Sequence, residues 1–214
     1  MASGVKRSYD SQGRREQSDQ TRNRILDTAR ELLTTKGYRA TTVAEIARGA
    51  DVHVDTIYAL VGRKPEILRV LIELAISGED HPLEPDERDY VQRMRCEPDP
   101  VARLAIYAAA TRAIQARMAP LFLALRDASS TDDQARSVWQ AINDRRAENM
   151  RRLVIEMGRE ELRPGVGVEE ASDVIWATAS SELFVLLTRE RGWTHERYEH
   201  WLHDTWCRLL LSPV

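Results

Sequence analysis

Apolar residues recur every three to four positions along almost the whole chain from Asp19 onward, and no stretch alternates as a half-buried strand would. In the first such segment, Ile25, Ala29 and Leu33 share one helical face, and Gly37 provides the stop signal. Capping residues, glycines and prolines divide the remainder. We expect helices at about 20–36, 43–49, 54–60, 64–77, 86–95, 98–116, 120–127, 131–157, 168–190 and 195–211. The pattern predicts an all-α protein of about ten helices.

The two ends of the chain differ in organisation. Residues 1–18 lack periodicity and are rich in Ser, Gly and Arg, so we expect a disordered basic arm. Residues 19–64 contain three helical segments with short connections, and four prolines between residues 81 and 100 mark a linker around one short helix. We therefore divide the chain into the arm, an N-terminal domain (19–64) and a helical C-terminal domain (65–214).

The N-terminal domain has the plan of a helix-turn-helix. Thr42 and Glu45 have the spacing of a capping box, which starts a short helix at Val43. A turn around Asp51 leads to a second short helix that begins at Val54. Two short helices behind a supporting helix can place the second one in a DNA major groove. The residues expected to face the supporting helix are Val43, Ile46, Ala47, Val52, Ile57 and Leu60.

The segment ILDTARELLTTKGYRATTVAEIARGADVHVDTIYALVGRKPEIL, residues 25–68, resembles the DNA-binding domain of the tetracycline-repressor (TetR) family. The similarity lies in KGY, ATTV, EIA, TIY and GRKPEIL. It implies a homodimeric transcriptional regulator, usually a repressor, that binds the palindromic half-sites of a double-stranded DNA operator. It also implies a C-terminal domain that binds a small-molecule effector and releases the operator.

Seven residues are the expected DNA contacts: Thr42, His53, Val54, Asp55, Thr56, Tyr58 and Lys64. Thr42 lies at a helix N-terminus, where a hydroxyl and free N–H groups suit a phosphate. Tyr58 offers a second hydroxyl, and Lys64 matches the phosphate-binding lysine of the family. The alternatives are that Thr42 only caps its helix, that Tyr58 packs on the first helix, and that Lys64 is merely solvated.

Several positions depart from the family pattern, among them His53, Ala59 and Val61 as well as the three discussed next. Asp51 stands where the family usually has glycine, and Asp tolerates a left-handed backbone better than most residues. Val54 could contact a thymine methyl, and Asp55 could accept a hydrogen bond from a cytosine amino group. Asp55 could equally interact only with the helix dipole. These departures affect the operator sequence that is expected, and they leave the expectation of DNA binding in place.

The charge is unevenly distributed. The whole chain has a formal net charge of −3, which excludes a uniformly basic nucleic-acid binder. Residues 1–64 contain 12 Lys and Arg against 8 Asp and Glu, whereas residues 65–214 contain 19 against 26. The net charges of +4 and −7 predict that the N-terminal end docks on DNA and that binding depends steeply on salt.

The C-terminal domain offers a candidate pocket and a candidate dimer interface. We expect Tyr107, Trp139, Asn143 and Trp176 to line an apolar pocket with a few polar groups, although aromatic residues at helical spacing also form ordinary core. Two helices from each subunit could form a four-helix bundle, and burial within one chain is the alternative. The residues expected at that interface are Leu183, Phe184, Leu187, Trp201, Leu202, Thr205 and Leu209.

Other functions have less support. A helix-turn-helix protein controlled by a partner protein, without a small-molecule ligand, is the main alternative. We find no nucleotide-binding, hydrolase or zinc-protease motif, so we expect neither an enzyme nor a cofactor. His200 and His203, near His195 and Asp204, could imitate a metal site, but a solvated helix face explains them better. With two cysteines, no signal-like start and no apolar run of membrane length, a cytoplasmic protein is expected.

Overall fold

The computed structural model describes residues 4–79 and 81–212, with side chains from residue 13 onward. Ten α-helices and no β-strand lie in these ranges, and the all-α prediction is confirmed. The helices are α1 (Gly4–Ala40), α2 (Val43–Gly49), α3 (Val54–Leu60), α4 (Lys64–Ser77), α5 (Asp89–Cys96), α6 (Pro100–Ser129), α7 (Asp133–Met157), α8 (Val168–Thr178), α9 (Ser181–Val185) and α10 (His195–Leu210). Helix α9 continues as a π-helical segment, Leu186–Glu190.

The turns of the N-terminal domain form where the sequence predicts them. Gly37 breaks the helical backbone with φ 80° and ψ 172°, so α1 is kinked before Tyr38. Asp51 has φ 53°, the left-handed conformation expected of a residue in the usual place of glycine. Helices α2, α3 and α4 have the bounds expected for them. Local turn chemistry therefore determines this part of the fold.

Two apolar clusters hold the helices together. The first joins α1–α4 to parts of α6 and α7, and Ile25, Ile46 and Ile57 are fully buried in it. The second joins other parts of α6 and α7 to α8, α9 and α10, around the buried Tyr198 and Trp206. The first cluster therefore crosses residue 64, the predicted domain boundary, because α4 packs in it together with parts of α6 and α7.

Helix α1 differs from its prediction at its start. It extends back to Gly4, so residues 4–18 are helical where the sequence predicted a disordered arm. Residues 1–3 of that arm lie outside the described residues. Residues 14–24 contain neither Pro nor Gly, and extending an existing helix is far easier than starting a new one.

Helix α6 runs through Pro120, where two separate helices were expected. Proline removes one helical hydrogen bond and costs about 3 kcal/mol in a helix interior. On either side of it, Met118, Ala119, Leu121 and Phe122 are all buried. Burial on both sides of the proline therefore holds the helix together.

The expected helix 168–190 is instead divided between α8 and α9. Ser180 caps α9, with its hydroxyl accepting a hydrogen bond from the Leu183 N–H at 3.3 Å. The carbonyl of Thr178 accepts from the Tyr198 hydroxyl at 3.2 Å, and that of Ala179 accepts from the Gln115 amide. Side chains from α6 and α10 thus satisfy backbone groups that the break leaves open. The sequence carries no Gly or Pro here to signal it.

Candidate nucleic-acid interface and ligand cavity

Helix α3 presents one face to the interior and another to the outside. Ile57 is fully buried, whereas the Tyr58 side chain next to it is 49% exposed. His53 and Asp55 are exposed at the start of the helix, and Val54 and Thr56 are half-buried. With about half of its surface exposed, Tyr58 does not belong to the buried core. Helix α3 therefore offers His53, Asp55 and Tyr58 to a groove more fully than Val54 and Thr56.

Thr42 caps α2 in a complete capping box. Its hydroxyl accepts from the Glu45 N–H at 3.1 Å, and its own N–H donates to the Glu45 carboxylate at 2.9 Å. Lys36 donates to the same carboxylate at 3.1 Å. The Thr42 N–H and then Lys36 lower the pKa of Glu45 to about 2, so this carboxylate is ionised at neutral pH. Thr42 is exposed, and its hydroxyl also donates to the Glu45 carboxylate at 3.0 Å, so both of its donors have a partner within the chain.

Lys64 has partners within the chain. Its ammonium donates to the carbonyls of Tyr38 and Thr41, both at 2.8 Å, and lies 3.8 Å from the centre of the Tyr38 ring. Desolvation by burial lowers the pKa of Lys64, and the Asp132 carboxylate opposes that effect. Lys64 is therefore not fully solvated. Part of the hydrogen-bonding capacity of its ammonium is already used in linking α4 to the end of α1.

Three exposed arginines border the helix-turn-helix and were not among the expected contacts. Arg39 lies in the last turn of α1, Arg48 lies near the end of α2, and Arg63 is the residue directly before α4. In the described part of the chain, none of them has a carboxylate within 4.0 Å. The excess of Lys and Arg over Asp and Glu in residues 1–64 is the sequence feature that could have indicated these arginines. Exposed guanidinium groups suit phosphate contacts.

A cavity of about 380 Å³ lies between α4, α6, α7 and the segment before α5. Its size is within the range of small-molecule sites. Tyr107, one of the four residues expected in the pocket, lines this cavity together with Thr111, Met118, Phe122 and Met150. The cavity also touches Pro82, Leu83 and Pro85 from the linker, which the sequence analysis did not assign to a site.

The other three residues predicted for the pocket do not line it. The Asn143 amide donates to the Trp139 carbonyl one turn earlier on α7, at 2.9 Å, and Trp139 packs on the first apolar cluster. Trp176 is 36% exposed on α8, with the Arg146 guanidinium over its ring. The helical face that each residue occupies depends on the packing of α7 and α8, which periodicity alone does not determine.

The residues predicted for a dimer interface divide by exposure. Phe184 and Leu202 lie inside the second apolar cluster and present no surface to another subunit. Leu209 is 45% exposed. The half-buried members are Leu183, Leu187, Trp201 and Thr205. Leu186, which is 44% exposed, adds apolar surface beside Leu187. Two of the seven predicted residues thus belong to the core of the chain. An interface with a second subunit would use the other five.

The described residues contain neither a candidate metal site nor a helix that could cross a membrane. Across 4–79 and 81–212, no group of three or more His, Cys, Asp or Glu side chains is arranged to hold a metal ion. The ring of His203 instead contacts the Val101 carbonyl at 3.1 Å. No helix in these ranges combines the length and the apolar character that crossing a bilayer requires.

Comparison with solved structures shows the same fold in regulators of low sequence identity. NalD, the secondary repressor of the MexAB-OprM multidrug efflux pump in Pseudomonas aeruginosa, superposes with a TM-score of 0.71 at 21% identity, covering 92% of this chain and 98% of NalD. FadR from Bacillus subtilis, solved with stearoyl-CoA, gives 0.68 at 19% identity over 86% and 96%. A putative regulator from Saccharomonospora viridis, solved with choline, gives 0.67 at 18% identity over 91% and 99%.

Sequence similarity is concentrated in the N-terminal domain. An uncharacterized HTH-type transcriptional regulator of Bacillus subtilis (strain 168), YvkB, is 42% identical over 69 residues, which are 32% of this chain and 36% of that relative. The alignment thus spans about a third of the relative's length. The model of the tetR family of bacterial regulatory proteins matches residues 25–69, which contain the helix-turn-helix described above. Similarity to the tetR family of bacterial regulatory proteins is therefore found in residues 25–69, the part of the chain that contains the helix-turn-helix.

Proposed function

We propose that this protein is a DNA-binding transcriptional regulator, a repressor that leaves its operator when a small molecule fills the cavity. One observation carries the proposal: the first apolar cluster contains both the helix-turn-helix core and part of the cavity wall. Ile46 and Ile57 belong to it from α2 and α3, and Ile72, Phe122 and Ile142 belong to it from the wall. Close-packed cores transmit strain, so occupancy of the cavity can bias the position of α3.

Release of DNA requires that the ligand bind more tightly to the conformation with lower DNA affinity. Helix α4 is the direct link between the two sites, since Lys64 bonds to the end of α1 and Arg69, Ile72 and Glu73 line the cavity. A ligand that pushes on the α4 wall would shift α1 and, with it, the helix-turn-helix. The relatives and solved structures named above are described as regulators, and two of the structures hold a small molecule.

A homodimer completes the proposal. Two recognition helices related by a two-fold axis fit half-sites about one helical turn apart. The exposed apolar surface of Leu186 and Leu209, with the half-buried Leu187 and Trp201, is the proposed face between subunits. An interface of this kind would cover the side chains that the monomer leaves partly open.

Selection of bound DNA from a random pool by the full chain tests the DNA-binding function. We expect a sequence with two-fold symmetry and half-sites centred about 10 base pairs apart. Asp55→Ala should alter the selected half-site, because Asp55 is exposed at the start of α3, whereas Gln140→Ala, on an exposed part of α7, should not. Recovery of no enriched sequence, or of one without symmetry, would contradict the proposal.

A further inference from the structure

Four arginines line the cavity, and within the described residues only two of them, Arg69 and Arg145, have a carboxylate partner. Arg69 donates to both oxygens of the Glu73 carboxylate at 3.0 Å, and Arg145 donates to one of them at 3.2 Å. Glu84, the other acidic residue of the lining, is exposed. Glu73 is therefore already matched by two guanidinium groups, and the cavity retains an excess of positive charge.

Arg88 is the first of the two unmatched arginines. One of its terminal nitrogens donates to the Leu83 carbonyl at 3.1 Å, and the other contacts the Tyr90 hydroxyl at 3.5 Å. Its Nε is buried and has no hydrogen-bond partner in the described part of the chain. An unpaired buried donor on a cation is costly, and an acceptor supplied by a ligand would remove that cost.

Arg146 is the second arginine of the cavity without a carboxylate partner in the described residues. It donates to the Trp176 carbonyl, and its guanidinium lies 5.0 Å from the centre of the Trp176 ring. No carboxylate in residues 4–79 or 81–212 lies within ion-pairing distance of Arg146 or Arg88. Desolvation by burial lowers the pKa of Arg146.

The two unmatched cations line the cavity together with two tyrosines, Tyr90 and Tyr107. Arg88 contacts the Tyr90 hydroxyl at 3.5 Å. Burial raises the pKa of the Tyr107 hydroxyl, and the positive charges of Arg146 and Arg88 both oppose that rise. The Tyr90 ring lies 6.2 Å from the Tyr107 ring and lines the same cavity. Two cations beside two phenol groups form a pocket of donors suited to an oxyanion.

The rest of the wall suits a hydrocarbon. Large apolar side chains from three helices line it, namely Ile72, Ile76, Ile114, Met118, Phe122 and Ile142. A ligand that filled this space would need an apolar body as well as a charged group.

We propose that the cavity binds an amphipathic anion, with a carboxylate or phosphate group held by Arg88 and Arg146 and a hydrocarbon body against the apolar wall. The proposal rests on the proposed function, in which the cavity is the effector site, and narrows its ligand class. A cationic ligand fits less well, because both neighbouring guanidinium groups would repel it and Glu73 is already paired.

Binding of one hydrocarbon chain with different head groups to the full-length protein tests the proposal. The probes are decanoate, decyl phosphate, decanol and decyltrimethylammonium, each titrated by calorimetry without DNA. We expect one or both anions to bind, decanol to bind roughly ten- to a hundredfold more weakly, and the ammonium not to bind. Comparison of decanoate with decyl phosphate identifies the preferred oxyanion. Decanol or the ammonium binding as well as the anions would overturn the proposal.

Three variants separate charge recognition from damage to the fold. Arg88→Gln and Arg146→Gln should weaken anion binding and leave decanol binding unchanged, whereas Arg191→Gln, at an exposed position outside the cavity, should change neither. If a cavity variant fails to fold, the head-group series on the unaltered chain still decides the matter. DNA affinity is measured separately: anion binding without operator release would contradict the effector role, and failed anion binding with intact DNA binding would contradict only the anion site.

Discussion

Lys64 combines a predicted external contact with partners inside the chain. Its match to a family position predicts a phosphate contact, with simple solvation as the alternative, and the structure bonds its ammonium to two backbone carbonyls at the end of α1. Tyr38, whose carbonyl is one of them, also donates its hydroxyl to Asp132 at 2.8 Å, and Asp132 caps α7. Lys64, Tyr38 and Asp132 therefore link the end of α1 to the starts of α4 and α7.

Lys64→Met should destabilise the protein even without DNA. Loss of the ammonium leaves the Tyr38 and Thr41 carbonyls without these bonds, and we expect the free energy of unfolding to fall by about 2 kcal/mol. Arg63→Met, at the exposed neighbouring position, should change it by less than about 0.5 kcal/mol. Urea unfolding followed by circular dichroism measures both. Equal stability of the Lys64 variant and the unaltered chain would show that the lysine serves only an external partner.

The break between α8 and α9 is maintained by side chains from other helices. Gln115 on α6 donates to the Ala179 carbonyl and accepts from the Ser181 hydroxyl at 2.8 Å, and both side chains are 2% exposed. Trp206 on α10 donates to the Thr178 hydroxyl at 2.7 Å. Because Gln115 also lines the cavity, this network fixes part of the cavity wall.

Gln115→Leu should therefore destabilise the fold although it makes the core more apolar. The substitution leaves the Ala179 carbonyl and the Ser181 hydroxyl buried without this partner, which costs about 1–3 kcal/mol. Gln140→Leu, on an exposed part of α7, is the matched control and should be nearly neutral. Thermal and urea unfolding measure the difference. A Gln115 variant as stable as the control would mean that the amide does not hold the break.

At the scale of the molecule, local signals were predicted well and long-range packing was not. The capping box of Thr42 and the turn at Asp51 depend on neighbouring residues, and both formed as predicted. Gly37, where a helix end was predicted, instead kinks α1, which continues to Ala40. The continuity of α6 through Pro120 and the absence of Trp139 from the cavity depend on which helices pack together. Tertiary burial overrides local propensity in the first case and selects the helical face in the second.

The uneven charge of the whole molecule leads to a prediction about salt. If Arg39, Arg48 and Arg63 each contact one phosphate in both subunits, six contacts form, and DNA affinity should fall roughly a thousandfold between about 50 and 200 mM salt. Arg63→Gln should make the slope of log affinity against log salt shallower by about 1.8, since one contact is lost in each subunit. Arg191→Gln removes the same charge from the acidic C-terminal part of the chain and should leave the slope unchanged. Fluorescence anisotropy with the selected operator gives all three slopes. An affinity that stays flat across this range, or a slope that Arg191→Gln changes as much as Arg63→Gln, would show that the positive end of the chain is not the surface that meets the phosphates.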